Sequence, residues 1–318
     1  MKRCTHETHS EPLTRRRFMH AVAVSSGAAL LPATAQADER KKRIGFVDYH
    51  LDNFHSRVYL KAIRETLRDR GFSVAGGTAI KAQESRQWAD KNGVPYFDDI
   101  EQLNRAVDYF MILAPANPEV HLDLCRSVFP FSKTTYVDKT FAPDVAAARQ
   151  IFDMADRHKV AMQTTSALRY TDVQKHVAKV GRDRVRHMVS WGGGSNFNEY
   201  VIHPVELVVS CMGHEAVELM RRGTEPQSQL LINFTRGRTA VVNVYNKSRT
   251  QYAATVTTDQ GTDHIVVDTS GIFVDTAAAV LDFFDKGRPN IDRRESLSIM
   301  RIIDAAKDDD ALERFVKL

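Results

Sequence analysis

The sequence predicts an α/β chain: a doubly wound parallel sheet followed by an α+β domain with a mostly antiparallel sheet. Two observations predict it. From Lys42 to about Leu168 short apolar runs alternate with segments of helical spacing, a grammar that implies right-handed crossovers between parallel strands. After Arg182 strand-like runs follow one another directly with turn residues between them, which favours antiparallel pairing.

The opening residues, 1–37, stand apart. Thr14, Arg15, Arg16, Arg17, Phe18 and Met19 precede a weakly apolar run from Ala21 to Leu31 and then Ala35, Gln36 and Ala37. That is the order of a charged region, an apolar region and a small-residue cleavage site. The arginines before an aromatic resemble a bacterial twin-arginine signal, which the export machinery reads. An ordinary secretory signal or a membrane anchor is the competing reading, but the apolar run is far shorter than the ~20 residues of a spanning helix. The reading implies cleavage near Ala37 and a periplasmic or otherwise exported protein. The segment carries Lys2, Arg3, Arg15, Arg16 and Arg17 against Glu7 and Glu11, most of the formal net charge of +4. What remains is nearly neutral, with no basic stripe for nucleic acid and no second long apolar run for a membrane, so a small-molecule partner is expected.

The elements follow in order. Arg43 to Val47 reads as a strand, and Val58, Leu60, Ile63 and Leu67 recur at helical spacing until Gly71. Phe72 to Ala75 is a weaker strand, Trp88 lies in a polar helix, and Val107 to Ala114 is a continuous apolar strand. Val120 to Val128 is helical, Thr134 to Val137 a strand, and Pro143 with Asp144 opens a helix before the strand Val160 to Gln163. In the second half Val185 to Ser190 is a strand and Pro204 to Met212 a helix. Gln229 to Phe234, Thr239 to Tyr245, Tyr252 to Thr257 and His264 to Val267 form the train of strands. Helices at Val274 to Phe284 and Ser296 to Ala306 close the chain. The division expected is 38–168 and 169–318. Cys125 and Cys211 sit among apolar neighbours and read as small buried hydrophobes, with a disulfide the less favoured alternative.

The segment Tyr136-Val137-Asp138-Lys139-Thr140-Phe141-Ala142 at a strand end resembles the acidic-Lys-Pro turn of the Gfo/Idh/MocA oxidoreductases. Lys133 before that strand, Gly93-Val94-Pro95-Tyr96-Phe97-Asp98-Asp99 and Phe283-Phe284-Asp285-Lys286-Gly287-Arg288-Pro289 fit the same family. The family's second domain presents an acid, a histidine four residues on and an acid three later, and here those positions hold Glu199, His203 and Glu206. The resemblance implies a Rossmann-like first domain and hydride transfer between NAD or NADP and a sugar, cyclitol or related polyol. It implies Lys139, His203 and Glu199 as catalytic groups, and His55 and Glu206 as substrate contacts. Such a reaction needs a base for the hydroxyl proton and a cation for the developing oxyanion. The family also implies a homo-oligomer built through the open face of the second sheet.

One part of the pattern is absent. A dinucleotide loop needs glycines after the first strand so that its N–H groups can approach a pyrophosphate. Aligned on that strand, the three glycine positions fall on Asp48, His50 and Asn53. With Pro115, Asn117 and Lys139 these form the cofactor-binding set that the resemblance implies. No acid follows the second strand to hold a ribose, and Lys81 there would suit a 2′-phosphate instead. Asp48, His50, Asp52 and His55 are of metal-ligating types, but neighbouring loop residues of this kind ordinarily serve as turn formers, and no metal is assigned. His50 and His55 are expected to line the same cleft as Lys139. Two alternatives to the oxidoreductase stay open: a lyase or hydrolase acting on carbohydrate derivatives without a nucleotide, and a ligand-binding protein without catalysis.

Overall fold

The computed structural model describes residues 41–318, so the arginine-rich segment lies outside the described residues. Five parallel strands form the first sheet in the order β2-β1-β3-β4-β5: β1 Lys42–Asp48, β2 Phe72–Ala79, β3 Tyr109–Ile112, β4 Thr135–Asp138 and β5 Met162–Thr165. Helices α1 Phe54–Lys61 and α2 Ala82–Asn92 cover one face; α3 Ile100–Ala106, α4 His121–Val128 and α5 Val145–Arg157 cover the other. Burial on both faces is why the strands read as continuous apolar runs rather than alternating ones. The doubly wound sheet is as expected, with shifted ends. β2 runs on past Ala75 because Gly76 and Gly77 keep pairing with Gly45 and Phe46. Neither glycine has room for a side chain, since a Cβ would meet Phe97 at 2.4 Å from Gly76 and Leu51 at 2.9 Å from Gly77.

The second sheet has seven strands in the order β11-β10-β6-β9-β8-β7-β12. These are β6 His187–Gly192, β7 Ala216–Arg222, β8 Gln227–Phe234, β9 Thr239–Tyr245, β10 Ala253–Thr258, β11 Gly261–Val266 and β12 Val316–Lys317. The pairing is antiparallel except between β6 and β9. Strands β7 and β12 were not legible in the sequence. α6 Asp172–Val180, α7 Phe197–Tyr200 and α8 Ile202–Met212 precede most of this sheet, and α9 Ile272–Lys286, α10 Arg293–Ala305 and α11 Asp310–Glu313 follow it. Val205, Val208, Val209 and Met212 of α8 and Ile299, Ile302 and Ile303 of α10 pack on Met188, Leu230, Ile232 and Val242 of the sheet. Val189, Trp191, Leu231 and Val241 alternate with those residues and stay half-buried on the opposite face.

α9 crosses back. Its Ala277, Val280, Leu281, Phe283 and Phe284 are buried with Ile44, Phe46, Tyr59 and Tyr136 in the core of the first sheet. A cut at residue 168 would strip that sheet of a covering helix which the chain supplies only after the second sheet. Cys125 and Cys211 are both buried and free. Among the described residues no helix is long and apolar enough to cross a membrane.

Candidate active site

Open parallel sheets bind ligands beyond the carboxyl ends of their strands. Here β1, β3, β4 and β5 end beside a cavity of about 360 Å³ that is closed on its far side by α7, α8 and the start of β10. It is lined by Asn53, His55, Pro115, Lys139, Glu199 and His203, with Tyr200, Tyr252 and Phe273 as aromatic walls. Sequence reasoning placed six of these in the site, and the fold brings them together from distant segments.

Lys139 follows the last residue of β4, and its Nζ donates to the carbonyl of Pro115 at 3.2 Å. Burial holds the lysine below its ordinary pKa, against the opposing charges of Asp138 and Glu199. The peptide after it, Lys139–Thr140, is cis. The buried His121 on α4 sits between the loops, with Nε2 2.7 Å from the Leu113 carbonyl and Nδ1 3.0 Å from that of Thr140. Burial lowers its pKa. It fixes the spacing between the ends of β3 and β4 and so the place of Lys139.

His203 stands on the first turn of α8 with Nδ1 3.2 Å from Ser166 Oγ, its ring flanked by Tyr200 and Tyr252 at 5.7 and 5.8 Å. Its pKa is pushed well below the ordinary value by burial, then by the charges of Lys139 and His55. Glu199 is half-buried on α7, accepting from Ser195 Oγ and Asn196 Nδ2 at 3.3 Å each. Gly194 lets this wall close, because a Cβ there would lie 2.1 Å from the Tyr200 ring.

His55 and Asp138 form a pair that the sequence did not reveal. His55 Nδ1 is hydrogen-bonded to Asp138 Oδ2, while Asp138 Oδ1 accepts from the Tyr136 hydroxyl at 3.0 Å and the Lys139 N–H at 2.9 Å. Asp138 is fully buried. Its place beside Lys139 was the one available signal; nothing in the sequence spacing links it to His55.

Four expected site residues fall elsewhere: Glu206, His50, Asn117 and the buried Asp48. Glu206 faces the interior, accepting from Thr165 Oγ1 at 2.8 Å, the Ser166 N–H at 2.6 Å and Arg169 at 3.2 Å. Arg169 also pairs with Glu295 of α10, so Glu206 anchors α8 to the end of β5 instead of meeting a ligand. Burial raises its pKa in spite of Arg169. One helical turn separates the outward His203 from the inward Glu206. His50 lines a polar groove with Asp52, Arg57 and Glu84 rather than the cleft of Lys139. Asn117 lies past the cavity and donates to Glu119 at 3.0 Å. Among the described residues no three His, Cys, Asp or Glu side chains gather to hold a metal.

The loop between β1 and α1 decides how a dinucleotide would be met. Asp48 is fully buried beneath it. Its Oδ1 accepts the Tyr49 N–H at 2.7 Å and the Ala114 N–H at 3.0 Å; its Oδ2 accepts from Asn53 Nδ2 at 2.8 Å and Ser56 Oγ at 3.0 Å. Asn53 caps α1, accepting the Ser56 N–H at 3.0 Å, and the Leu51 N–H goes to Ser85 Oγ at 3.0 Å. These donors serve the chain's own oxygens, so the loop does not fit a glycine-type pyrophosphate cradle. Burial lifts the Asp48 pKa to about 6, against its four hydrogen bonds.

The site therefore pairs a lysine at the carboxyl edge of a parallel sheet with a histidine from the α+β half. Residues 51–166 match the GFO_IDH_MocA model, an oxidoreductase family with an NAD-binding Rossmann fold. The fold is similar to that of scyllo-inositol dehydrogenase from Lactobacillus casei, solved with NAD(H) and scyllo-inositol, at 13% identity and a TM-score of 0.73 over 87% of this chain and 99% of that one. It is equally similar to myo-inositol 2-dehydrogenase from Lactobacillus plantarum, at 13% identity and 0.73 over 87% and 99%. UDP-N-acetylglucosamine 3-dehydrogenase GnnA from Acidithiobacillus ferrooxidans gives 13% and 0.72 over 86% and 98%. No curated protein sequence matches this chain. The family model thus matches the first-sheet segment, and the likeness to these solved structures is one of fold.

Proposed function

We propose that the protein is an oxidoreductase acting on a sugar, cyclitol or related polyol, with NAD or NADP as its redox partner. The observation that carries it is the convergence of Lys139, His203 and Glu199 on one cavity at the strand ends. A buried lysine with a lowered pKa steadies negative charge on a ligand oxygen, and a neutral histidine orients the same hydroxyl. The cavity suits one sugar-sized ring, and a second cavity of about 680 Å³ continues from it along α1, sharing Phe54, Tyr252, Ile272 and Phe273. The nicotinamide supplies hydride-transfer chemistry when bound.

The filled loop around Asp48 favours a second reading, in which the same cleft performs proton transfer on a carbohydrate derivative without a nucleotide. Isothermal titration with NAD⁺ and NADP⁺, followed by a screen of inositols and hexoses for nucleotide reduction, separates the two. Nucleotide binding with polyol-dependent reduction supports the oxidoreductase. Absence of both, with a sugar still raising the melting temperature, supports the second reading.

The protein is further proposed to leave the cytoplasm by the twin-arginine route, supported by the order of residues in 1–37. Homo-oligomerisation is proposed through the open sheet face that carries Val189, Trp191, Leu231 and Val241, an apolar strip of the kind that marks an interface.

A further inference from the structure

Two histidines reach the cavity, and their settings differ. His203 has a hydroxyl behind it, the Oγ of Ser166, and no carboxylate. A proton added to it would meet the charge of Lys139 in a buried setting. His55 has the Asp138 carboxylate on Nδ1. A carboxylate on Nδ1 fixes the neutral ring as the Nδ1–H tautomer and leaves the lone pair on Nε2. It also balances the imidazolium that forms when Nε2 gains a proton. The pair is itself held in place: Asp138 by Tyr136 and the Lys139 N–H, and the His55 ring by Tyr59 at 5.8 Å and Phe273 at 5.2 Å.

We infer that His55, oriented by Asp138, is the general base of this cleft, and that His203 is a neutral hydrogen-bonding partner of the ligand. The inference rests on reading the cavity as a polyol site. In the proton-transfer step a ligand O–H bond breaks and an N–H bond forms on His55 Nε2. The electron pair stays on the ligand oxygen beside the Lys139 ammonium, and Asp138 stays ionised. Asp138 is then a positioning residue. The charged or titratable groups around His55 are Asp138 and Lys139 from the end of β4, His203 from α8, Glu199 from α7, and the phenols of Tyr59 and Tyr136.

The test uses full-length protein labelled with ¹⁵N-histidine, together with His55→Gln, Asp138→Asn and His203→Gln. Long-range ¹H–¹⁵N spectra should show His55 as the Nδ1–H tautomer, and Asp138→Asn should weaken that tautomer preference. On the best polyol of the screen, His55→Gln should lower kcat about 10²–10⁴-fold, the usual range for a general base, and remove the acid limb of the pH profile. His203→Gln should act mainly on KM. An Nε2–H tautomer would falsify the inference, as would a His55→Gln enzyme that keeps more than a tenth of kcat with its acid limb intact. If Asp138→Asn does not fold, the native tautomer decides. If the native tautomer is as expected but no polyol turns over, the polyol reading fails and the pair stands.

Discussion

The β1–α1 loop and the turn after β4 lie at the same edge of one sheet, yet their polar groups point in opposite senses. In the loop, Asp48, Asn53 and Ser56 bond to one another and to main-chain N–H groups, so polarity is directed inward and holds the loop's shape. In the turn, Lys139 reaches a lone carbonyl at 3.2 Å and otherwise faces the cavity, which His55 of α1 also lines. Buried polar groups tied to partners stabilise a conformation, whereas those left facing a cavity remain able to bind. The difference teaches that the feature by which such a sheet edge is usually recognised, the glycine loop, has here become a structural knot, and that the cavity-facing lysine sits two strands further along the sheet.

Substitutions sharpen this contrast. Lys139→Met should have the largest effect on function, with turnover falling about 10³-fold from the loss of charge stabilisation. Its melting temperature should change little, because removing an incompletely paired buried cation also removes its desolvation cost. An active Lys139→Met protein would break the comparison.

Asp48→Asn should act on stability and its pH dependence. The folded state raises this carboxyl from 3.8 to about 6, so the native form holds the proton more tightly than the unfolded chain. Stability from this group is therefore greatest below the unfolded pKa and falls as pH rises through about 6, by about 3 kcal/mol in all. Urea unfolding between pH 4 and 7 should show that decline in the native protein, and Asp48→Asn should flatten it. A slope left unchanged would mean that another group causes it.

The smallest effect is expected at the far side of the loop. Ser85 Oγ takes the Leu51 N–H at 3.0 Å and donates to the Lys81 carbonyl at 2.6 Å. Ser85→Ala should cost about 1 kcal/mol, the usual net worth of such a bond, rising towards 3 if the freed Leu51 N–H stays dry. Amide exchange at Leu51 should quicken. Unchanged exchange there would show that the loop is not pinned to α2.

Much of the fold was legible because it rests on local periodicity. The alternating strands and helices of the first half, the strand train of the second and the cap of α5 at Asp144 follow from residue spacing and capping chemistry. Strand β12 was not legible, since a two-residue edge strand carries no period, and β7 was masked by its charged Glu218, Arg221 and Arg222. The site was legible where residues lie close in sequence, as with Glu199 and His203, but spacing alone could not say which face each takes. Glu206, one turn on, faces Arg169 and the interior instead.

The sequence by itself determined the two kinds of sheet, the lysine at a strand end and the absence of loop glycines, because each depends on residue type and near-neighbour spacing. Only the tertiary structure decided that α9 returns to complete the first core, that Asp48 fills its own loop, and that Asp138 backs His55. Those outcomes depend on which distant groups share a buried volume, where every donor and acceptor has to find a partner.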